Sequence, residues 1–320
     1  MRKIIWICLL CVGLSLAASC CTQTNERNKP EETVSTLSSV ESEESEVQEE
    51  EMMLSETKNN DYEIQELCAE RDGYRIYGVI YIPKSAQEKM PAVIFSHGYG
   101  GSYQGSERYA QELAKKGYVS YRFDFCGGSS YSHSDGSTLE MSLFTEQADL
   151  EAVIRMIQGL AYVDNEKLFL IGASQGGAVS AITGAAHADE IRGMVLIYPA
   201  FVMVDDAKEL FGNTDNIPDT YNFMGMNVGW NYFEPLLDYD IYGAIAAYDK
   251  DVLMIHGDAD RTVPVAYSQQ ALEAYPSAEL KVMPDAGHGF YGEDVQQAID
   301  WILEYLQNHQ DYTLKCKNNK

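Results

Sequence analysis

Residues 168–177, with the sequence LFLIGASQGG, decide the fold of this chain. Four apolar residues, typical of a buried strand, run into a Gly-x-Ser-x-Gly turn centred on Ser174, and small residues typical of a closely packed helix follow. Glycines flank the serine because a tight strand-to-helix turn crowds its neighbours. The turn pushes the Ser174 hydroxyl out above a sheet, so the segment predicts a strand, a nucleophile and a helix.

Short apolar runs alternate with helical patterns on both sides of this segment. Several runs are almost continuous in Val, Ile, Leu and aromatic residues, which is typical of strands buried on both faces of a parallel sheet. Besides 168–172, the runs are 74–82, 92–96, 118–123, 194–198, 252–256 and 280–283. The predicted helices are 106–116, 139–157, 178–186 and 295–306. This alternation predicts an α/β fold with a doubly wound, mostly parallel sheet within a domain at 61–320.

One stretch interrupts the alternation. About fifty residues separate the run at 194–198 from the next run, and a structureless loop of that length would be unusual. We therefore predict a small cap inserted after the sixth strand, at about 200–250. Most of its many aromatic residues should pack the cap itself, and Phe223, Trp230 and Tyr232 are candidates for substrate binding.

Two segments downstream of Ser174 supply groups that could activate its hydroxyl. A serine attacks when an imidazole takes its proton, and the imidazole needs a carboxylate to fix its tautomer. Asp258 and Asp260 both follow the run at 252–256; Asp260 is favoured because its Asp-x-x-Val-Pro setting begins the next helix, and Asp258 is assigned to turn bonding. His288 lies in a glycine-flanked loop after the last strand, where its ring can reach Ser174. The predicted catalytic residues are Ser174, Asp260 and His288.

A glycine-rich segment, SHGYGG at 96–101, ends the run at 92–96. When a serine attacks a carbonyl group, negative charge develops on the oxygen, and two fixed backbone N–H donors stabilise it. We predict that these donors belong to Gln175, directly after the nucleophile, and to Tyr99 in this segment. His97 is then expected to buttress the loop.

The overall charge excludes some classes of partner. The 320 residues include 49 acidic and 23 basic side chains, which gives a formal net charge of −26. Such a chain repels phosphate and lacks the basic surface of a nucleic-acid-binding protein. A neutral or cationic small molecule is the expected ligand.

The first sixty residues are predicted to lie outside the folded domain. Residues 1–20 combine a charged start with an apolar run too short for a bilayer, which predicts a secretory signal peptide. The run ends in LAASC, which resembles a bacterial lipobox, so we predict lipidation of Cys20; an ordinary cleaved signal is the alternative. Residues 21–60 are acidic and contain no aromatic residue, which predicts a disordered tether. The protein is expected to be exported and held at the bacterial cell surface by lipid.

The remaining cysteines form no recognisable framework. Cys21, Cys68, Cys126 and Cys316 show no Cys-x-x-Cys spacing, which indicates neither a zinc site nor a set of disulfides. Whether Cys68 and Cys316 pair or stay free thiols is left open by the sequence.

With these residues assigned, the region from about 74 to 309 resembles the α/β-hydrolase superfamily, and more narrowly the bacterial feruloyl (cinnamoyl) esterases with a small inserted cap. The similar motifs are HGYG at 97–100, RFDFCGGSS at 122–130, SDG at 134–136, GASQGG at 172–177 and GHG at 287–289. Cys126 departs from the family, where relatives often hold a polar or larger residue. The resemblance implies hydrolysis of carboxylic esters without a metal or organic cofactor, and points to hydroxycinnamate esters of plant cell-wall sugars.

We consider two further functions besides that of a serine esterase. A serine peptidase or acyl-aminoacyl hydrolase is the alternative, because related folds cleave amides and an acidic body could anchor an α-amine. A binding protein with an inert hydrolase fold is disfavoured, because all three catalytic roles are filled. A dehalogenase is excluded, because that chemistry needs a carboxylate where Ser174 stands.

Overall fold

The structure, a computed structural model, describes residues 61–84 and 88–310. The predicted signal peptide, the lipidation site at Cys20 and the tether lie outside the described residues, and so does Cys316. Within the described part of the chain, no helix is long and apolar enough to cross a membrane. Cys68 is an exposed free thiol and Cys126 is a buried one.

Twelve strands lie within the described residues. In chain order they are β1 (Tyr62–Glu66), β2 (Ala69–Arg71), β3 (Tyr74–Ile76), β4 (Gly78–Pro83), β5 (Met90–Ser96), β6 (Val119–Phe123), β7 (Val163–Ala173), β8 (Gly193–Ile197), β9 (Thr220–Phe223), β10 (Met226–Gly229), β11 (Val252–Gly257) and β12 (Ala278–Met283). Eight of them form the central sheet, in the spatial order β1-β4-β6-β5-β7-β8-β11-β12. β4 runs antiparallel to β1 and β6, and the other pairs are parallel. The predicted mostly parallel sheet is confirmed.

Seven α-helices accompany these strands in the described residues. They are α1 (Glu107–Lys115), α2 (Leu143–Gln158), α3 (Gln175–Ala186), α4 (Met203–Leu210), α5 (Ile241–Ile245), α6 (Ala266–Ala274) and α7 (Glu293–His309). α2 begins at Leu143 rather than at 139 because Ser142 caps it. The Ser142 hydroxyl accepts a hydrogen bond from the Thr145 N–H at 3.2 Å, and the Ser142 N–H donates to the Thr145 hydroxyl at 2.8 Å.

Helices cover both faces of the sheet. Ile94 and Leu170 belong to a core cluster that also contains the buried residues of α2 and α3. Their chain neighbours Val93 and Phe169 belong to a second cluster, with the buried residues of α1 and α7. Because successive residues of a strand point to opposite faces, both faces of the sheet are buried, and the doubly wound prediction is confirmed.

The N-terminal part of the sheet differs from the prediction. The run at 74–82 is divided into β3 and β4 at Tyr77, whose N–H donates to the Ser134 hydroxyl at 2.8 Å. β2 and β3 form a separate hairpin, and β1 pairs with β4 at the edge of the sheet. β1 and β2 were not predicted because their side chains are mostly exposed and polar, which leaves no apolar signal.

A cap follows β8, which is the sixth strand of the central sheet along the chain, as predicted. It contains α4, a hairpin of β9 and β10, short 3₁₀ turns and α5. The hairpin turns through Met224 and Gly225, whose φ angles of 48° and 90° both lie in the left-handed region. Aromatic rings with centroids 4.8 to 5.9 Å apart fill the cap: Phe211, Tyr221, Phe223, Tyr232 and Phe233.

Candidate active site

Ser174 lies on the sharp turn between β7 and α3, with φ 54° and ψ −122°. A non-glycine residue in this region is strained, and such strain persists only where the surroundings enforce it. A Cβ at Gly172 would lie 2.1 Å from the Gly176 carbonyl oxygen, and a Cβ at Gly176 would lie 2.3 Å from the Ser96 carbonyl oxygen. Both glycines are therefore required by close backbone approach. The Ser174 N–H donates to the carbonyl oxygen of Ile197 at 2.9 Å, which ties the turn to β8.

The structure brings Ser174, His288 and Asp260 together. His288 Nε2 lies 3.0 Å from Ser174 Oγ, and His288 Nδ1 lies 2.8 Å from Asp260 Oδ2. The other oxygen of the buried Asp260 carboxylate accepts hydrogen bonds from the N–H groups of Thr262 and Val263, both at 2.9 Å. These bonds fix the carboxylate, which in turn orients the ring of His288.

Asp258 and His256 lie beside this relay and have other contacts. Asp258 accepts a hydrogen bond from the Asp285 N–H at 2.7 Å, which fits the turn-bonding role predicted for it. The ring of His256 is fully buried: Nδ1 lies 2.8 Å from the Ser268 hydroxyl and Nε2 lies 2.8 Å from the Val263 carbonyl oxygen. His256 Nε2 is also 3.3 Å from Asp260 Oδ2. Burial lowers the pKa of His256, so a neutral ring lies against the same oxygen of Asp260 that His288 contacts.

Both residues predicted to supply oxyanion donors lie next to Ser174. Gln175 is the first residue of α3, where a backbone N–H has no acceptor within the helix and the helix dipole favours negative charge. Tyr99 follows β5, in a loop that passes against the nucleophile, since a Cβ at Gly98 would lie 3.0 Å from Ser174 Cβ.

His97 and Asp124 hold the loop that carries Tyr99. His97 Nδ1 lies 2.8 Å from the Gly98 carbonyl oxygen, and Nε2 accepts a hydrogen bond from the Phe125 N–H at 3.1 Å. Burial lowers the pKa of His97, so the ring is a neutral support. The fully buried Asp124 carboxylate accepts from the Tyr103 N–H at 2.6 Å. The RFDFCGGSS segment at 122–130 is thus structural.

A cavity of about 160 Å³ lies between Ser174 and the cap. It is lined by Tyr99, Ser174, Gln175, Ala200, Val202, Met203, Asp206, Phe223, Met224, Tyr232, Thr262, Val263 and His288. Of the three aromatic candidates, Phe223 and Tyr232 line the cavity. Trp230 does not: it follows β10 on the outside of the cap and is 52% exposed, so its assignment to substrate binding is corrected.

Sequence and structure comparisons show which known proteins this chain is similar to. The model of the family described as serine aminopeptidase S33 matches residues 87–217. Over 276 residues the chain is 25% identical to the monoacylglycerol lipase of Mycolicibacterium smegmatis, which covers 73% of this chain and 95% of that protein. Est1E from Butyrivibrio proteoclasticus with ferulic acid bound has a TM-score of 0.69 and 25% identity, covering 76% of this chain and 98% of that one. A second Est1E structure matches with a TM-score of 0.66, 24% identity and coverage of 76% and 99%.

This chain has the α/β-hydrolase fold. It is similar to hydrolases of the esterase and lipase kind. The predicted resemblance to α/β hydrolases of the feruloyl-esterase type is confirmed by the likeness to Est1E.

A buried polar network beneath the cavity of this α/β hydrolase was not predicted. Glu146 on α2 is 1% exposed, and its Oε2 accepts a hydrogen bond from the Gln175 side-chain nitrogen at 2.8 Å. The Tyr232 hydroxyl donates to the Gln175 side-chain oxygen at 2.6 Å. Burial raises the pKa of Glu146 to about 8. The signal in the sequence was a carboxylate on the apolar face of α2, between Leu143 and Leu150.

Asp206 on α4 was also missed. It is half-buried and lines the cavity under the cap. Burial raises the pKa of its carboxyl, and the negative charges of Glu209 and Asp205 add to the rise. No side chain at 61–84 or 88–310 makes an ion pair or hydrogen bond with this carboxylate. Nothing in the sequence distinguished it from the other acidic residues of the cap.

A second cavity, of about 180 Å³, lies between the loop that follows β5 and the ends of β7 and β8. Its wall includes Gly98 and Ala173 beside Ser174, together with Tyr198, whose ring centroid is 4.7 Å from that of His288. Phe95, Ile171 and Ile197 at its base belong to the core cluster of α1 and α7. None of the residues that line it is Asp, Glu, Lys or Arg. Besides Ser96, the lining residues that carry a hydroxyl group are Ser102, Ser106, Tyr109 and Tyr198.

Proposed function

We propose that this α/β hydrolase is a serine carboxylic-ester hydrolase that works through an acyl-enzyme. One observation carries this function: an unbroken hydrogen-bonded relay runs from Ser174 Oγ through His288 to the buried Asp260, at the floor of a cavity roofed by the cap. A relay of this kind turns a weakly nucleophilic hydroxyl into an attacking group.

In the first half of the reaction, Ser174 Oγ attacks the carbonyl carbon of the ester while His288 Nε2 takes the hydroxyl proton. The Asp260 carboxylate stabilises the resulting imidazolium through Nδ1–H. The carbonyl oxygen becomes an oxyanion and accepts hydrogen bonds from the N–H groups of Tyr99 and Gln175. When the carbon–oxygen bond breaks, His288 returns its proton to the leaving alkoxide, and the acyl group stays on Ser174.

In the second half, water replaces the alcohol. His288 removes a proton from the water molecule as its oxygen attacks the acyl carbon, and the same two N–H groups stabilise the second oxyanion. Breakage of the bond to Ser174 Oγ releases the carboxylic acid, and His288 gives the proton back to the serine. The protein leaves the cycle unchanged, with one ester bond and one water consumed.

The cap cavity favours an aromatic acyl group of the hydroxycinnamoyl type. Phe223, the ring of Tyr232 and the thioethers of Met203 and Met224 offer apolar contact to a flat ring. The carboxylate of Asp206 can accept a hydrogen bond from a phenolic hydroxyl at the far end of such a group. The likeness to Est1E, whose structure contains ferulic acid, supports the same class.

The second cavity favours an uncharged alcohol. It is lined by Ala173, the residue before Ser174, and by no residue of the cap, and it presents hydroxyl-bearing residues without Asp, Glu, Lys or Arg. Hydroxyl groups can both donate and accept hydrogen bonds with a sugar, whereas a charged peptide terminus would lack a counter-charge there. The proposed substrate is therefore a hydroxycinnamoyl ester of a sugar, such as those of plant cell walls.

A peptidase or acyl-aminoacyl hydrolase is the second candidate, and Asp206 is the observation that favours it. An unpaired carboxylate in the cavity could bind the α-amine of a substrate, and the S33 aminopeptidase model matches residues 87–217. The two candidate functions differ in whether substrate binding requires Asp206 to be negatively charged. A phenol needs only an acceptor, whereas an ammonium group needs the negative charge.

The test compares methyl ferulate, methyl cinnamate and leucine p-nitroanilide with the wild type, Ser174→Ala and Asp206→Asn. We expect turnover of methyl ferulate, its loss by at least a thousandfold in Ser174→Ala, and a fall of about tenfold or less in Asp206→Asn. Methyl cinnamate, which lacks the hydroxyl, should respond least to Asp206→Asn. Turnover of the anilide alone, lost in Asp206→Asn, would favour the peptidase. Full activity of Ser174→Ala would contradict the serine mechanism.

We propose in addition that the protein is exported and lipid-anchored through Cys20. The support is the sequence alone: a short apolar run, the LAASC site and the acidic spacer at 21–60. Expression of the full chain with a clickable fatty-acid analogue should label the wild type and place it in the membrane fraction. Cys20→Ala should lose the label. Equal labelling of both proteins would contradict the anchor.

A further inference from the structure

Both residues proposed to supply oxyanion donors are tied by their side chains to the cap. The Tyr99 hydroxyl donates to the carbonyl oxygen of Phe223, in the β9–β10 hairpin, at 2.8 Å. The side-chain oxygen of Gln175 accepts from the Tyr232 hydroxyl at 2.6 Å. The rings of Tyr99 and Tyr232 also meet edge to face, with centroids 5.7 Å apart.

Gln175 is held from the core as well. Its side-chain nitrogen donates to Glu146 Oε2 at 2.8 Å, so both ends of the amide are bonded, one to α2 and one to the cap. All three residues are buried, at 1% exposure for Glu146 and Gln175 and 2% for Tyr232. A buried bond of this kind is costly to break, because the group left behind cannot turn to water.

We propose that Tyr232 and Glu146 are positioning residues that hold Gln175, so that the cap forms part of the oxyanion hole and not only a wall of the substrate cavity. This inference rests on the proposed ester hydrolysis. Tyr232 was a candidate for substrate binding, but its hydroxyl is occupied by Gln175, which leaves only the ring to face a substrate.

The position of Gln175 in the chain explains how its side-chain hydrogen bonds to Glu146 and Tyr232 can affect the oxyanion donor. The Gln175 N–H shares a peptide group with the Ser174 carbonyl, which accepts hydrogen bonds from the N–H groups of Gly177 and Ala200 at 2.9 Å and of Ala178 at 3.2 Å. The backbone therefore holds this peptide group from its carbonyl side, and the side-chain bonds of Gln175 hold it from the side of the residue that carries the N–H. An oxyanion donor works because its direction is set before the reaction. A side chain fixed at both ends keeps the Gln175 N–H aimed at the place where the charge develops.

The charge state of Glu146 follows from its surroundings. The groups that face it are Asp149 on its own helix, Gln175 on α3, and the hydroxyls of Tyr99 and Tyr232. None of these is a cation, and the basic partner of Asp149 is Arg71. Burial raises the pKa of Glu146 to about 8, so at neutral pH it is a neutral acid whose carbonyl oxygen accepts from Gln175. Glutamine reproduces that form, whereas alanine removes it.

The first experiment removes one hydroxyl. Tyr232→Phe keeps the ring, so a wall of the substrate cavity is preserved while the bond to Gln175 is lost. We expect kcat to fall about tenfold on both p-nitrophenyl acetate and methyl ferulate, with KM nearly unchanged. Tyr221→Phe is the matched control, since Tyr221 packs on Phe211 and Phe233 and does not line the cavity. An unchanged kcat in Tyr232→Phe would overturn the inference.

The second experiment tests Glu146 and does not depend on Tyr232→Phe folding. Glu146→Gln should keep kcat within about threefold at neutral pH, and Glu146→Ala should lower it about tenfold. The wild type should lose kcat as the pH rises through about 8, and Glu146→Gln should lack that loss. Glu151→Gln, on the partly exposed side of the same helix, is the control. A large loss in Glu146→Gln at neutral pH, or full activity of Glu146→Ala, would overturn the assignment.

Failure of this inference can be told apart from failure of the proposed function. If wild-type protein does not hydrolyse either ester, ester hydrolysis itself is wrong. If the wild type is active and Ser174→Ala is not, while Tyr232→Phe and Glu146→Ala keep the wild-type kcat, only the positioning role is wrong.

Discussion

Around Ser174 almost no residue can be replaced, whereas the cap above it is stabilised by side-chain packing that many different sequences could supply. The turn depends on backbone contacts: the places where Cβ atoms of Gly172 and Gly176 would lie are already filled by backbone oxygens. The cap depends on aromatic rings packed edge to face, among them Phe211 and Phe233 with centroids 4.8 Å apart. Backbone geometry tolerates no replacement, but one ring can substitute for another. Reaction chemistry is therefore more constrained than substrate choice.

The largest expected effect is a difference in kcat between substitutions of Asp260 and Asp258, the two aspartates that follow β11. Asp260→Asn should lower kcat on a short ester by roughly 10⁴-fold, because the amide cannot hold His288 in the tautomer that accepts the serine proton. Asp258→Asn should stay within about threefold of the wild type, since the Asp258 carboxylate accepts a hydrogen bond from the Asp285 N–H and lies outside the relay. Steady-state kinetics of both variants provide the measurement. Equal losses would show that the relay is wrongly assigned.

The next effect concerns the backbone of the turn. Gly176→Ala should destabilise the fold by several kcal/mol, because the new methyl group would meet the carbonyl oxygens of Ser96 and His97 at 2.3 Å. Gly105→Ala is the control, since a Cβ there meets nothing within 4 Å. Urea unfolding of both variants checks the difference. A Gly176→Ala protein as stable as Gly105→Ala would mean that the turn can open without cost.

The buried Glu146, beneath the cap cavity, should make the stability of the protein depend on pH. The pKa of Glu146 is about 8 in the folded protein, compared with an ordinary value of 4.5, so the folded state binds more protons between these values. Glu146 should therefore make the free energy of unfolding fall as the pH rises from about 5 to 8, by up to about 1.4 kcal/mol per pH unit. Urea unfolding across this range should show a smaller decline in Glu146→Gln. The same slope in both proteins would contradict the raised pKa.

The smallest effect lies on the outer surface of the cap. Trp230→Ala should change kcat/KM for methyl ferulate by less than about twofold, because the half-exposed ring does not line the cavity. Phe223→Ala, which opens the cavity wall, should raise KM for methyl ferulate more than for p-nitrophenyl acetate. Similar KM values for the two variants would remove the distinction between the inside and the outside of the cap.

Parts of the site with a local cause were predictable. The strand before Ser174, the glycines around it and the loops that end in Asp260 and His288 each follow from short segments, and the structure places these side chains in contact. β1 and β2 escaped prediction because exposed polar strands lack an apolar pattern. Trp230 was chosen for its residue type, but its position after β10 turns it outward.

The alternation of apolar strands and helices, the doubly wound sheet and the place of the cap could be predicted from the amino-acid sequence, because burial and tight turns leave their pattern within a few neighbouring residues. Only the folded chain shows that Asp206 enters the cavity, or that Gln175 lies between Glu146 and Tyr232. Those contacts join α2, α3 and the cap, which are far apart along the chain. Their partners depend on how separate elements pack, and no local pattern records that packing.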